Sequence, residues 1–140
     1  INMTIIFAQI NESNEVININ IWDESILGDP ASEETGKNYL ANFFGVSSDM
    51  FIQTFDDGTR KQQAGVGYTW DSTNNVFIIP KPFASWTLDG TYDWQPPVVD
   101  PNTEGYLTKW NETDQTWYGL KTSDNSVWKW NTATNQWDSV

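Results

Sequence analysis

The sequence predicts a mainly β protein with one α-helix: a β-rich α+β fold of antiparallel hairpins, with short tryptophan-containing hairpin repeats at its end. Three observations carry that expectation. Short runs of β-branched and aromatic residues recur along the chain, separated by Asn, Asp, Gly and Pro. Only the stretch around 30–44 combines helical periodicity with start and stop signals. Residues 106–140 contain an internal repeat built around Trp-Asn.

Residues 3–22 read as a hairpin. TIIFAQI suits a sheet, residues 11–15 (NESNE) form a polar turn, and VININIW alternates with period two. On that alternation Ile17, Ile19 and Ile21 face a core, while Val16, Asn18 and Asn20 face solvent or a polar partner. Asp29-Pro30 marks a helix start, with Asp29 as the N-cap. Tyr39, Leu40, Phe43 and Phe44 make its apolar stripe, and Gly45 ends it. Residues 49–55 are a strand candidate, followed by an Asp-Gly turn at Asp57-Gly58. Gly65 and Gly67 bracket Val66, which suggests a bulge or a close backbone approach.

The central stretch 68–94 reads as short strands joined by tight turns. Residues 71–75 turn the chain, 76–79 form an apolar strand, and Pro80 and Pro82 stop it. Phe83, Trp86 and Leu88 resume the aromatic pattern, and Asp89-Gly90 turns the chain back to Tyr92 and Trp94. QPPVVDPNTEG then holds three prolines without periodicity. The expected organisation is a β-rich domain at 3–95, a proline-rich linker at 96–105 and a tandem Trp-Asn hairpin repeat at 106–140.

KWNETDQTW at 109–117 matches KWNTATNQW at 129–137 with an offset of 20 residues, and YTWDSTNNVF at 68–77 is a looser copy. Each copy reads as two very short strands around a polar turn. The Asn or Asp after the first Trp bonds the turn backbone, and the aromatics pair across the strands. Isolated two-stranded hairpins are marginal, so these must pack on something.

Composition narrows the function classes. The chain has 140 residues, 38% apolar and 15% aromatic, so its core is aromatic rather than aliphatic. The net charge of −12 repels nucleic acid and anionic membranes. Cys and His are absent, which removes disulfides, thiol nucleophiles, Cys/His zinc sites and histidine triads. No apolar stretch is long enough for a transmembrane helix, no signal peptide is visible, and Met3 reads as a start. A cation site would draw on Glu34, Asp49, Asp56 and Asp57, but the patterned calcium loop is missing and solvated turn acids are the plain reading. No carboxylate pair has a spacing that singles it out for glycosidase chemistry. The expectation is a protein that is not an enzyme and takes no cofactor or metal.

The candidate binding surface, for protein or glycan, is Trp110, Trp117, Trp128, Trp130 and Trp137. Aromatic faces with Asn, Asp and Gln neighbours suit sugar rings; the plain alternative is that these indoles form the small core of the repeat.

The run RKQQAGVGYTWDSTNNVFIIPKPFASWTLDGTYDWQPP resembles a group of small accessory or virion-associated proteins of marine tailed bacteriophages, cyanophages especially. The likeness extends to FAQINESNEV at 7–16, GVGYTW at 65–70, DST at 71–73, PKPF at 80–83, SWTL at 85–88, Trp94 with Pro96-Pro97, and WNET at 110–113. In the central motif, Pro80, Pro82, Phe83, Trp86, Leu88 and Trp94 read as structural. The group ends near the first Trp-Asn copy, so the copy at Trp130 is a departure. The resemblance implies no catalytic residues. It implies a non-enzymatic virion protein, a capsid decoration or a tail or fibre component, that docks on other virion proteins through aromatic surfaces. A homo-oligomer is expected, and neither nucleic acid nor membrane is an expected partner. The alternative is a carbohydrate-binding module that recognises a host surface glycan.

Overall fold

The computed structural model describes residues 3–140. Ile1 and Asn2, which bear on the reading of Met3 as a start, lie outside the described residues. The chain forms two compact units, one ending at Pro80 and the other spanning Lys81–Val140. Among the described residues, antiparallel strands make up most of the regular structure, with one α-helix.

The first unit is organised around β1 (Thr4–Ile10), the middle strand of a sheet. β2 (Val16–Asp23) flanks it on one side and β3 (Phe51–Thr54) on the other, both antiparallel. Both faces of β1 are covered, so the adjacent residues Phe7 and Ala8 are both fully buried. Phe7 packs with Ile26, Leu40 and Phe51 beneath α1 (Glu33–Phe44). Ala8, Ile10, Val16 and Ile52 pack on the other face with Trp70 and Phe77. Those two rings belong to the hairpin of β4 (Thr69–Asp71) and β5 (Val76–Ile78). Each fully buried Phe contributes about 1.5–3 kcal/mol of apolar burial.

Two local expectations need correction. In β2 the register shifts opposite Gln9 and Ile10, so that Ile10 pairs with Val16 and Gln9 with Asn18, leaving Ile17 unpaired. That bulge resets the alternation. Val16, expected outside, is fully buried, while Ile17 and Ile21, expected inside, are exposed; of the three isoleucines only Ile19 packs on the core. The helix also starts later than Asp29-Pro30, which is a cis peptide bond. Ser32 is the N-cap and its Oγ accepts from Thr35 N–H at 3.1 Å. Gly45 closes the helix in the left-handed region at φ 70°, as its position in the sequence predicts. Of the stripe, Leu40 alone is fully buried; Tyr39, Phe43 and Phe44 set their rings edge-on around Trp22 and keep part of their surface open.

The outer edge of β3 is closed by an ion pair. Gln53 N–H donates to Glu33 Oε2 at 2.7 Å, and Arg60 donates to both the Gln53 carbonyl and the Glu33 carboxylate. The guanidinium also lies 5.2 Å from the Trp70 ring centroid. Arg60 holds this position from a left-handed backbone at φ 61°. Burial pushes the Glu33 carboxyl up, but the hydrogen bonds from Arg60 and Gln53, with the charges of Arg60 and Lys37, outweigh it and hold the pKa below the ordinary 4.5.

The second unit has a short hairpin of β6 (Thr87–Leu88) and β7 (Trp94–Gln95), tightened by Asp89 accepting from Thr91 and Asp93 N–H. A four-stranded meander follows: β8 (Tyr106–Asn111), β9 (Thr116–Lys121), β10 (Val127–Asn131) and β11 (Gln136–Ser139). The 96–105 segment, offered by the sequence as a linker, is fastened to this sheet by side-chain bonds. Trp117 Nε1–H donates to the Val98 carbonyl at 2.7 Å, Thr108 Oγ1 to Asp100 and Trp137 Nε1–H to Thr103 Oγ1.

Candidate functional site

The repeat seen in the sequence is a repeat of one hairpin. Trp70 pairs with Phe77, Trp110 with Trp117 and Trp130 with Trp137, each directly across its two strands. The ring centroids are 4.6, 5.3 and 5.1 Å apart. In each copy the residue after the first Trp accepts a turn N–H three residues on: Asp71 from Asn74, Asn111 from Asp114, and Asn131 from Thr134. The last turn position is left-handed in all three, at Asn75, Gln115 and Asn135. Polar side chains suit that position because Asn tolerates it better than branched residues do.

Pairing and alternation put all five tail tryptophans on one face of the meander, with Tyr106 and Thr108. Leu107, Leu120 and Val127 form an exposed cross-strand row on the other face. The tryptophan face is shaped by Gly119: a Cβ there would lie 2.8 Å from Trp137 Cη2. Its absence lets the Trp137 indole rest on the sheet and stack on Tyr106 at 4.8 Å and 12°.

The three copies differ in what covers them. Trp70 and Phe77 are buried in the first unit. Trp110 and Trp117 are also buried, at 4% and 8% exposure. Trp86 lies against both of their rings, at 6.1 and 6.2 Å. Glu112 ties this cover down by accepting from Trp110 Nε1–H, Ser85 N–H and Ser85 Oγ–H, which also holds its carboxyl below the ordinary range. Trp128, Trp130 and Trp137 are only half-buried. Trp128 and Trp137 are partly engaged by Tyr106.

Trp130 is instead among the residues that line two open depressions. One, about 390 Å³, lies at the turn end of the sheet and is lined by Gln115, Asn131, Lys129, Asp114 and Asp138. The other, about 510 Å³, lies between Trp130, Asn135 and the segment 97–101. Val98 and Thr132 border both. The polar side chains here are engaged within the chain. Lys129 Nζ lies 3.4 Å from Asp114, and Asn131 donates to Asp138. The Tyr118 hydroxyl donates to Asp114, which lowers that carboxyl's pKa, with help from Lys129, and raises the tyrosine's.

Of the residues singled out in the sequence, the structure therefore places Trp110 and Trp117 in the interior and leaves Trp128, Trp130 and Trp137 at the surface. Phe83 and Trp86 lie against each other, and Lys81 sits 5.6 Å from the Trp94 ring centroid. Leu88 is partly exposed. Among the described residues, no three His, Cys, Asp or Glu side chains are grouped to hold a metal ion. The sequence does not single out Gln115, Thr132 and Asn135, which line the depressions. The signal was available, since all three fall in the turns of the repeat. No known protein family, curated protein or solved structure matches this chain.

Proposed function

We propose that this chain is a non-enzymatic component of a bacteriophage particle, a capsid decoration or part of the tail or fibres, whose second unit is a binding module. One observation carries the binding role. The same aromatic hairpin occurs in three copies; two are sealed, and the copy at Trp130 opens onto two solvent-facing depressions. A ring pair built only for the core would gain more from closure, because every buried Å² of apolar surface adds about 25 cal/mol. The phage assignment is supported by the motifs running from 60 to 97. The strong negative charge suits a surface held away from packaged DNA.

Peptide mass spectrometry of gradient-purified particles tests the assignment, with copy number scaled to the major capsid protein. Copies comparable to the capsid protein point to decoration, and a few to a few dozen to the tail or fibres. Particles without peptides of this chain refute the reading.

A further inference from the structure

We infer that the outer edge of β2 pairs with a second copy of this chain, antiparallel through residues 17–23 and about a two-fold axis at Asn20, so that two first units share one continuous sheet. The pairing lies in the first unit and does not depend on what the second unit binds.

The two edges of the three-stranded sheet are treated differently. At β3, Glu33 and Arg60 occupy the N–H and the carbonyl of Gln53. At β2 the outer side is taken up at its first residue, where Val16 N–H donates to the Tyr68 carbonyl and Gly67 N–H to the Val16 carbonyl. The strand ends at Asp23, and a 3-10 turn follows at Glu24–Leu27. The open length is therefore 17–23, and β2 is the longest outer strand among the described residues.

The register fixes which backbone groups face outward. Glu24 N–H donates to the Met3 carbonyl, and hydrogen-bonded pairs alternate along an antiparallel ladder. Asn18, Asn20 and Trp22 thus turn their backbone groups to Gln9, Phe7 and Ile5, and Ile19 and Ile21 turn theirs away from β1. The Ile19 N–H is met only locally, by Asn18 Oδ1 at 3.0 Å. Such an edge is a template for another strand, and natural edges are guarded by Lys, Pro or inward charges. VININIW contains none of these.

Charge, length and apolar surface select a second copy as the occupant. Two chains of net charge −12 repel, so they can meet only where the surface is neutral, and residues 16–22 carry no charge. The midpoint of 17–23 is Asn20. Full-length two-fold pairing therefore sets Ile19 opposite Ile21 of the second copy and Asn20 opposite its own counterpart. The outward N–H and C=O groups of Ile19 and Ile21 then bond reciprocally, as an isologous contact requires. Asp23 falls opposite Ile17 and Glu24 opposite Val16, so no two carboxylates are set face to face. Ile19 and Ile21 lie on the face of Ala8; Ile19 packs on the core there, and Ile21 is 68% exposed. Pairing lays each Ile21 beside Ile19 of the other copy. On the opposite face, the axis brings Trp22 and its ring of Tyr39, Phe43 and Phe44 from both copies to the same side of the joined sheet.

The test is sedimentation equilibrium of the full chain, with circular dichroism of every variant. Wild type is expected to be a dimer at about 100 μM. Ile21→Glu is expected to weaken the dimer by about tenfold or more, because it puts new carboxylates beside the axis, and Ile21→Val to leave it unchanged. Leu107→Glu adds the same charge at an exposed apolar position of the second unit and should keep the dimer. Cross-linking tests the register, and it holds even if Ile21→Glu fails to fold. The chain has no cysteine. Asn20 and its counterpart form a pair that is not hydrogen-bonded, with Cα atoms about 4.5 Å apart, within disulfide reach. Asn20→Cys is therefore expected to oxidise to a covalent dimer, and Asn18→Cys, which faces Trp22 of the second copy, to remain uncrosslinked. Three results overturn the proposal: a wild type that is monomeric at about 100 μM, which leaves the edge to a strand of another protein; a dimer unchanged by Ile21→Glu; or a dimer that Asn20→Cys fails to link. Particles that lack this chain would leave the pairing standing, and a monomeric chain found in particles would remove the pairing alone.

Discussion

Gly119→Ala tests whether the tryptophan face depends on one missing side chain. Gly119 lies in β9, where replacing glycine would ordinarily stabilise a strand by about 0.5–1 kcal/mol. The structure reverses that sign. The new Cβ would lie 2.8 and 2.9 Å from two ring carbons of Trp137 and 3.1 Å from Tyr106 Cδ1. Both neighbours are rigid rings, so one must leave. Trp137 is half-buried and has room outward. Moving it forfeits the stack on Tyr106, worth about 0.5–1.5 kcal/mol. It also forfeits the hydrogen bond to Thr103, worth about 0.5–1.5 kcal/mol. After the strand gain is subtracted, the central expectation is a net loss of about 1 kcal/mol, within bounds of about 0 and 2.5. Urea unfolding followed by tryptophan fluorescence is the assay, since seven of the nine tryptophans lie beyond Pro80. The midpoint should fall with an unchanged slope. Gly90→Ala is the control: its Cβ meets nothing within 4 Å, and it should be near neutral. A Gly119→Ala protein as stable as the wild type would refute the reasoning.

Two further predictions concern the first unit. Gly36→Ala should destabilise it by about 1 kcal/mol, because overpacking against a well-filled core costs about 1–3 kcal/mol and the better helix propensity of alanine returns about 1. The added Cβ would lie 2.8 Å from Phe7 Cζ and 2.9 Å from Leu27 Cδ2, and thermal unfolding by circular dichroism reads the effect. Arg60→Ala should cost about 2–3 kcal/mol, because it strands the part-buried Glu33 carboxylate and reopens the β3 edge. The same pair sets a pH dependence. The folded pKa of Glu33 lies below its ordinary 4.5, so its contribution is fully present above that value and disappears as pH falls through the lower folded value. Wild type and Arg60→Ala should therefore differ most near neutrality and converge in acid, as chemical unfolding at a series of pH values would reveal.

Much of this fold is legible in the chain because its turns are spelled out. Asp71, Asn111 and Asn131 announce their hairpins by residue type and spacing, and the aromatic partners follow at a fixed distance. Gly45 announces the helix end in the same local way. The faces of Val16 and Ile17 were not legible, because a bulge at one residue inverts the assignments before it and nothing in VININIW marks it. The helix start was misplaced because Asp29-Pro30 and Ser32 both carry starting chemistry, and only the local backbone decides between them.

The candidate site was legible in kind and not in place, for a related reason. The two tail copies share Lys-Trp-Asn and the closing Trp at the same spacing, yet one is interior and one is open. What separates them lies outside the repeat, in Trp86 and the Val98 carbonyl, which close over Trp110 and Trp117. Periodicity reports the hairpin but not its cover, since cover is a contact between segments distant in sequence. A duplicated hairpin therefore acquires a free aromatic face when its covering segment is not duplicated with it. The central motif holds one Trp86, and the chain has two tail copies to serve. The face at Trp130 follows from that mismatch, and so does the expectation that its indole, rather than those of Trp110 and Trp117, meets a ligand.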